Sequence, residues 1–104
     1  MGDTLVIRTD EDAAGPVVRL AGEIDLATTD ELRECLFTLA DPIVTVDFCG
    51  VTFMDCVGVN VLTAVQRRVR ERGGKLVLFG VRPHQMRMLQ LLGMTDYFDC
   101  MVPA

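Results

Sequence analysis

The sequence predicts an α/β fold with one mixed β-sheet, which has a parallel centre, an N-terminal antiparallel hairpin and helices packed on it. The 104 residues suffice for one hydrophobic core, and half of them are apolar, which excludes a disordered chain. Segments rich in β-branched residues alternate with segments of helical periodicity in the order ββαβαβα(β). No repeat or linker interrupts residues 1–104, so we expect a single domain.

The N-terminal segments predict a hairpin followed by a helix. Residues 5–8 and 16–21 are apolar and β-branched, and an acidic turn over residues 10–15 separates them. Thr28 with Glu31 three residues later is a capping-box pattern, which predicts a helix from residue 28 to about residue 40. Its apolar residues recur at intervals of three and four, which gives one buried stripe.

The C-terminal segments predict parallel strands joined by helices. Residues 43–48 are almost continuously apolar, as expected of a central strand, and Gly50 is expected to end it. A second helix is predicted from residues 56–58 to the Gly73-Gly74 pair, followed by a strand over residues 75–79. A third helix should begin at Pro83, with Gly93 closing it. Residues 94–98 form a turn or helical fragment, and residues 99–102 a last edge strand.

The charge balance excludes several classes of partner. Ten basic and fifteen acidic residues give a net charge of −5, which opposes binding to nucleic acid or to an anionic membrane surface. The arginines of residues 67–72 are interpreted as a solvated helix end favoured by the helix dipole. No apolar run is long enough to cross a bilayer and no secretory signal is recognisable, so we expect a cytoplasmic address.

The sequence contains little that supports a catalytic site or a metal site. The four cysteines form no C-x-x-C pair and His84 is the sole histidine, so we expect neither a metal site nor a cofactor. A nucleophilic pair of Cys56 and His84 is allowed by the topology, but no third residue orients it, and we expect no enzyme. Cys35 and Cys49 are expected to be buried.

The loop over residues 49–58 is the most informative part of the chain. It follows the central strand, where α/β proteins carry their functional residues. Asp55 is placed to cap the second helix, and the apolar tip around it suggests contact with another protein. The alternative is that Val57 folds inward, while Asp55 merely caps and Gly58 merely packs. Cys56 is either a redox-sensitive thiol at a helix terminus or an unreactive small residue.

Several motifs in order resemble the STAS domain of bacterial anti-sigma factor antagonists. The resemblance covers roughly residues 5–102, and no single motif decides it. It is carried by the sequences at residues 22–26 (GEIDL), 46–48 (VDF), 51–55 (VTFMD), 58 (G), 70–76 (RERGGKL) and 89–98.

The resemblance implies a non-enzymatic regulator. In that family the domain binds an anti-sigma factor, often an ATP-dependent serine kinase, and so releases the sigma factor. The kinase phosphorylates a serine in a D-S-[S/A]-G loop, and the added charge breaks the complex. The residues that would contact the partner, by position in the motif, are Asp25, Met54, Asp55, Cys56, Val57, Gly58, Val59 and Asn60.

The sequence differs from the family at the positions of the phosphorylated serine loop. Cys56 and Val57 replace the two serines, Val57 stands at the phosphorylated position, and the chain contains no serine at all. We therefore expect an antagonist that phosphorylation does not switch off, with oxidation of Cys56 as a substitute switch. Two alternatives stay open: a STAS scaffold subunit of a lipid-transport or stress-signalling assembly, and a small-molecule-binding STAS domain. The oligomeric state is not predicted.

Overall fold

A computed structural model describes residues 4–101 and contains one five-stranded sheet with three helices and a short 3-10 turn. The strands lie in the order β1-β2-β3-β4-β5; β1 is antiparallel to β2 and the others run parallel to one another. This arrangement confirms the predicted fold class. The elements are β1 (Leu5–Asp12), β2 (Gly15–Ile24), α1 (Thr29–Phe37), β3 (Ile43–Met54), α2 (Cys56–Glu71), β4 (Lys75–Phe79), α3 (Pro83–Leu91), η1 (Thr95–Tyr97) and β5 (Asp99–Met101).

The N-terminal hairpin is confirmed, and it is longer than predicted. The pairing runs from Leu5 opposite Gly22 to Asp12 opposite Gly15. The Asp12 carboxylate accepts the Ala14 N–H at 2.8 Å and closes the turn. Gly15 has a φ of 143°, and a Cβ there would collide with the Ile43 carbonyl oxygen, so the turn requires glycine.

The central strand continues past Gly50, so the prediction that this glycine ends it is wrong. β3 reaches Met54 because its second half stays paired with β2, with register shifts on either side of Ala21 and Gly22. A Cβ at Gly50 would lie 2.8 Å from the Leu20 carbonyl oxygen, so glycine here permits a close approach of the two strands. The extension carries the β3–α2 junction beyond the rest of the sheet edge.

All three helices lie on one face of the sheet. Each parallel crossover connects neighbouring strands in sequence order, and right-handed crossovers in one direction place their helices on the same side. The side chains of Val44, Val46 and Phe48 on that face are at most 1% exposed. They pack with Leu62 of α2 and other helix residues in a single core.

The first helix begins differently from the predicted capping box. Thr28 is the N-cap residue, but its hydroxyl makes no capping bond to the helix. It donates to the Glu23 carbonyl oxygen at 2.9 Å and accepts the Asp25 N–H at 3.0 Å, so it braces the preceding loop. The helix ends at Phe37 rather than near residue 40.

The remaining expectations are mostly confirmed. Pro83 opens α3 and Gly93, with a φ of 70°, follows its end. The predicted last strand is present over residues 99–101, and residue 102 lies outside the described part. Cys35 is half-buried, whereas Cys49 is exposed, because it points to the sheet face that the helices leave bare; its predicted burial is wrong. No helix among residues 4–101 is long and apolar enough to cross a membrane.

Candidate functional site

The junction between β3 and α2 is fixed by Asp55. Its carboxylate accepts the Val57 N–H at 3.0 Å, which caps the helix as predicted. Its own N–H donates to the Ile24 carbonyl oxygen at 3.2 Å. The head of α2 is therefore tied both to its own first turn and to the end of β2.

The loop after β2 lies beside this junction and is shaped by Asp25. The Asp25 carbonyl oxygen accepts the N–H groups of Thr28 and Thr29, both at 3.0 Å, and its carboxylate accepts the Ala27 N–H at 2.9 Å. This tight turn leaves Leu26 in solvent, with 77% of its surface exposed. An apolar side chain held outward by a rigid loop is a candidate contact for a partner.

The accessible side chains at this end of the molecule make up a candidate surface, which we call the docking surface. Phe53 is 47% exposed, Cys56 and Asn60 are exposed, and Val57 is half-buried. The docking surface consists of Asp25, Leu26, Phe53, Asp55, Cys56, Val57 and Asn60. Its only charged members are the two half-buried aspartates, so it is apolar and acidic.

Three of the residues expected to touch a partner are part of the core. Met54 is 3% and Val59 1% exposed, and Gly58 is also buried. Met54 pairs with Ile24 on the helix-covered face, while Val59 lies on the inner side of the first turn of α2. Their inclusion in the contact surface is corrected: they support the docking surface from beneath.

Gly58 allows α2 to start this close to the sheet. A Cβ at Gly58 would lie 2.7 Å from Ile24 Cγ2 and 2.8 Å from Met54 Cγ. Both distances are too short for real contacts, so any side chain here would displace the core or the helix.

Leu26 was not among the predicted contact residues. The sequence signal that could have identified Leu26 is a leucine between Asp25 and Thr28, in a loop where a polar residue would be the ordinary choice. Phe53 was recognised only as part of an apolar tip. Its exposure follows from strand alternation, because its neighbour Met54 faces the core.

Val57, which the resemblance predicts at the phosphorylated position, is the second residue of α2. The hydroxyl nearest to it in sequence on β3 belongs to Thr52, which is exposed and donates to the Gly22 carbonyl oxygen at 3.2 Å. The docking surface itself therefore offers no hydroxyl for phosphorylation.

The described residues show no assembled chemistry at this site. Within residues 4–101 no group of three or more histidine, cysteine or acidic side chains is arranged to hold a metal ion. In the same range no hydrogen bond links Cys56 to His84, which lies on α3.

Comparison with known proteins shows the family of this chain. A family model described as "Mlab, STAS domain" matches residues 7–103. The chain is 32% identical over 84 residues to the anti-sigma-B factor antagonist of Bacillus subtilis strain 168, covering 79% of this chain and 77% of that protein. It is 31% identical over 83 residues to the anti-sigma-B factor antagonist of Listeria monocytogenes, covering 77% and 73% respectively.

A solved structure shares the fold throughout. The crystal structure of an anti-sigma factor antagonist from Mycobacterium paratuberculosis superposes with a TM-score of 0.87, covering 100% of this chain and 90% of the other. The sequence identity is 22%, so this likeness concerns the fold.

Proposed function

This chain belongs to the STAS domain family, and from that membership we propose that it acts as an anti-sigma factor antagonist, which binds an anti-sigma factor and so frees the sigma factor. The relatives from Bacillus and Listeria, which carry this function in their names, support the proposal. The observation that carries it is the docking surface: exposed apolar side chains held by rigid loops at the head of α2.

The chemistry of the docking surface defines what the partner must offer. Leu26 and Phe53 supply apolar area of the kind found at the centre of protein interfaces. Asp25 and Asp55 border it with negative charge, and no basic residue belongs to the surface. The complementary site on an anti-sigma factor is therefore an apolar groove flanked by cationic groups.

Titration calorimetry with the anti-sigma factor of the same organism tests this proposal. Leu26→Asp and Phe53→Asp each place a charge in the apolar part of the interface and should lower the affinity at least ~30-fold, about 2 kcal/mol. Leu91→Asp is the matched control, since Leu91 is 81% exposed on α3, away from the docking surface, and should bind normally. Unchanged affinity of both docking-surface variants would refute the assignment.

We further propose that the anti-sigma factor is of the serine-kinase type and cannot switch this protein off. A phosphate on the docking surface would add up to two negative charges and a large desolvation cost to the interface. Val57 removes the acceptor at that position and adds no charge to the surface.

Mass spectrometry after incubation with the kinase, ATP and Mg²⁺ tests the missing switch. The wild-type mass should not change, whereas Val57→Ser should gain ~80 Da, one phosphoryl group. A gain by the wild-type protein would overturn the proposal, and the Thr52→Val variant would show whether Thr52 is the acceptor. Failure of Val57→Ser to react would contradict the serine-kinase assignment of the partner.

A further inference from the structure

The second half of β3 extends beyond its neighbour β4. Their pairing ends at Asp47 opposite Phe79, the last residue of β4, whereas β3 continues to Met54. On its other side the extension of β3 stays paired with β2. Backbone carbonyls on the β4 side of the extension therefore need hydrogen-bond donors that do not come from a strand.

Two side chains from the head of α3 donate to the extension of β3. Arg82, the N-cap residue of α3, donates from Nη2 to the Cys49 carbonyl oxygen at 2.6 Å. Gln85, in the first turn of α3, donates from Nε2 to the Val51 carbonyl oxygen at 3.3 Å. The two bonds go to alternate residues of β3, as the hydrogen bonds of a neighbouring parallel strand would. The two side chains thus act where β4 no longer pairs.

Arg82 and Gln85 are also bonded to each other. Gln85 Oε1 accepts the Arg82 N–H at 3.0 Å, so both polar atoms of the Gln85 amide have partners. Gln85 and Val51 are both 0% exposed. A buried amide with both ends bonded keeps one orientation, because rotation would leave buried polar groups unpaired. Gln85 therefore ties the start of α3 to β3.

The loop between β4 and α3 passes close to β3 at Gly80. Gly80 has a φ of 73°, a backbone conformation that favours glycine. A Cβ at this position would lie 2.5 Å from Cys49 Sγ. The Gly80 N–H donates to the Met101 carbonyl oxygen at 2.9 Å, which fixes the loop to β5. This close passage brings the Arg82 guanidinium within reach of the extension of β3.

The extension of β3 leads directly into the docking surface. Phe53 follows Val51 on the same strand, and Asp55 is the N-cap residue of α2. We infer that Arg82 and Gln85 are positioning residues of the docking surface, because their bonds to β3 hold Phe53 and the head of α2 in the orientation that binds the partner. This inference rests on the proposed function and adds two residues of α3 that need not touch the partner.

The charge of Arg82 and its hydrogen bond predict opposite effects on binding. The docking surface is acidic, so its partner should offer cationic groups. Removal of a positive charge from α3 should by itself strengthen binding, whereas loss of the bond to the Cys49 carbonyl oxygen should weaken it. A lower affinity of Arg82→Met would therefore report the positioning effect.

Titration calorimetry with the anti-sigma factor tests the effect on binding. Gln85→Met keeps the length of the side chain but removes its donor and acceptor. It should lower the affinity at least ~5-fold at a temperature where the variant is fully folded, and Arg82→Met should change the affinity in the same direction. Arg87→Met removes the same charge from an exposed position further along α3 and should bind at least as well as the wild type. Wild-type affinity of Arg82→Met or Gln85→Met would overturn the role of that residue.

Amide hydrogen exchange tests the positioning without a partner. The Asp55 N–H, which donates to the Ile24 carbonyl oxygen at 3.2 Å, should exchange at least ~5-fold faster in Gln85→Met than in the wild type. The Lys75 N–H, which donates to the Pro42 carbonyl oxygen at 2.6 Å at the start of β4, is the internal control and should not change. Equal acceleration of both amides would show a general loss of stability, and no acceleration at Asp55 would show that α3 does not hold the extension. Either result overturns the inference.

The two measurements separate this inference from the proposed function. A wild-type protein that does not bind the anti-sigma factor would contradict the proposed function, while faster exchange at Asp55 in Gln85→Met would still support the positioning of the head of α2 by α3. Normal binding by the wild type, with unchanged affinity and exchange in both α3 variants, would overturn the inference alone.

Discussion

At the scale of single residues, Cys49 is an exposed cysteine whose thiol has a raised pKa. A hydrogen bond to the Asp47 carboxylate is the largest cause that raises the pKa of the Cys49 thiol; partial desolvation and the negative charge of Asp47 add to it. Because the thiolate is the reactive form, alkylation should need a higher pH than exposure alone would suggest.

The pH dependence of Cys49 alkylation checks this directly. Iodoacetamide labelling, followed by peptide mass spectrometry, should show its midpoint moving to lower pH in Asp47→Asn, since the variant removes the charge that favours the protonated thiol. Labelling of Cys100, whose pKa is raised mainly by burial, serves as the internal control and should not move. An unchanged midpoint for Cys49 would contradict the role of Asp47.

Cys56 is the exposed thiol of the docking surface, and its oxidation remains a proposed substitute for phosphorylation. A sulfinate at this position would place a negative charge where the partner binds. Mild peroxide should therefore weaken binding of the anti-sigma factor to the wild type and leave Cys56→Ala unaffected. Equal affinity of the wild type under peroxide and under reductant would dismiss this switch.

Two residues predicted to contact a partner are buried in the structure, and the reason is geometric. Met54 and Val59 are apolar residues in a loop-like segment, and composition alone cannot tell whether they point outward. Their direction is set by the extension of β3 to residue 54 and by the rotation of α2, which are tertiary features. Asp55 was correctly predicted as the N-cap of α2 because a helix cap has a local signature.

At the scale of the elements, the head of α2 depends on the absence of a side chain at Gly58. Gly58→Ala should lower the free energy of unfolding by about 1–2 kcal/mol, since overpacking against Ile24 and Met54 outweighs the better helix propensity of alanine. Urea denaturation measures the change. Asn60→Ala, exposed on the same helix, is the control and should stay within ~0.5 kcal/mol. Equal stability of Gly58→Ala and the wild type would show that the junction has more room than the structure indicates.

At two element boundaries, tertiary contacts override the local sequence preference. Gly50 is a strand breaker by propensity, yet β3 passes through it because the close approach of β2 requires a residue without a side chain. The capping box at Thr28 and Glu31 is a local pattern that the loop after β2 overrides, because the Thr28 hydroxyl bonds to the Glu23 carbonyl oxygen instead. In contrast, Pro83 and Gly93 bound α3 as expected, because their backbone preferences need no tertiary partner.

At the scale of the whole molecule, the order of the elements was sufficient to predict the fold. Strands separated by single helices favour neighbouring parallel strands with right-handed crossovers, and the sheet has this order. The same rule leaves one face of the sheet without a helix, which the residue pattern alone did not predict. Val17, Thr45 and Val77 are ordinary strand residues in sequence, and only the topology places them on the side without helices.

The central claim is that the head of α2 is the binding site, and Val57→Asp tests it most directly. Val57 is the second residue of the helix, where the helix dipole favours a negative side chain, so the variant should fold and melt like the wild type. Calorimetry with the anti-sigma factor should then show at least ~100-fold weaker binding, because the new carboxylate is desolvated in the interface beside Asp55. Wild-type affinity in a correctly folded Val57→Asp protein would contradict the account.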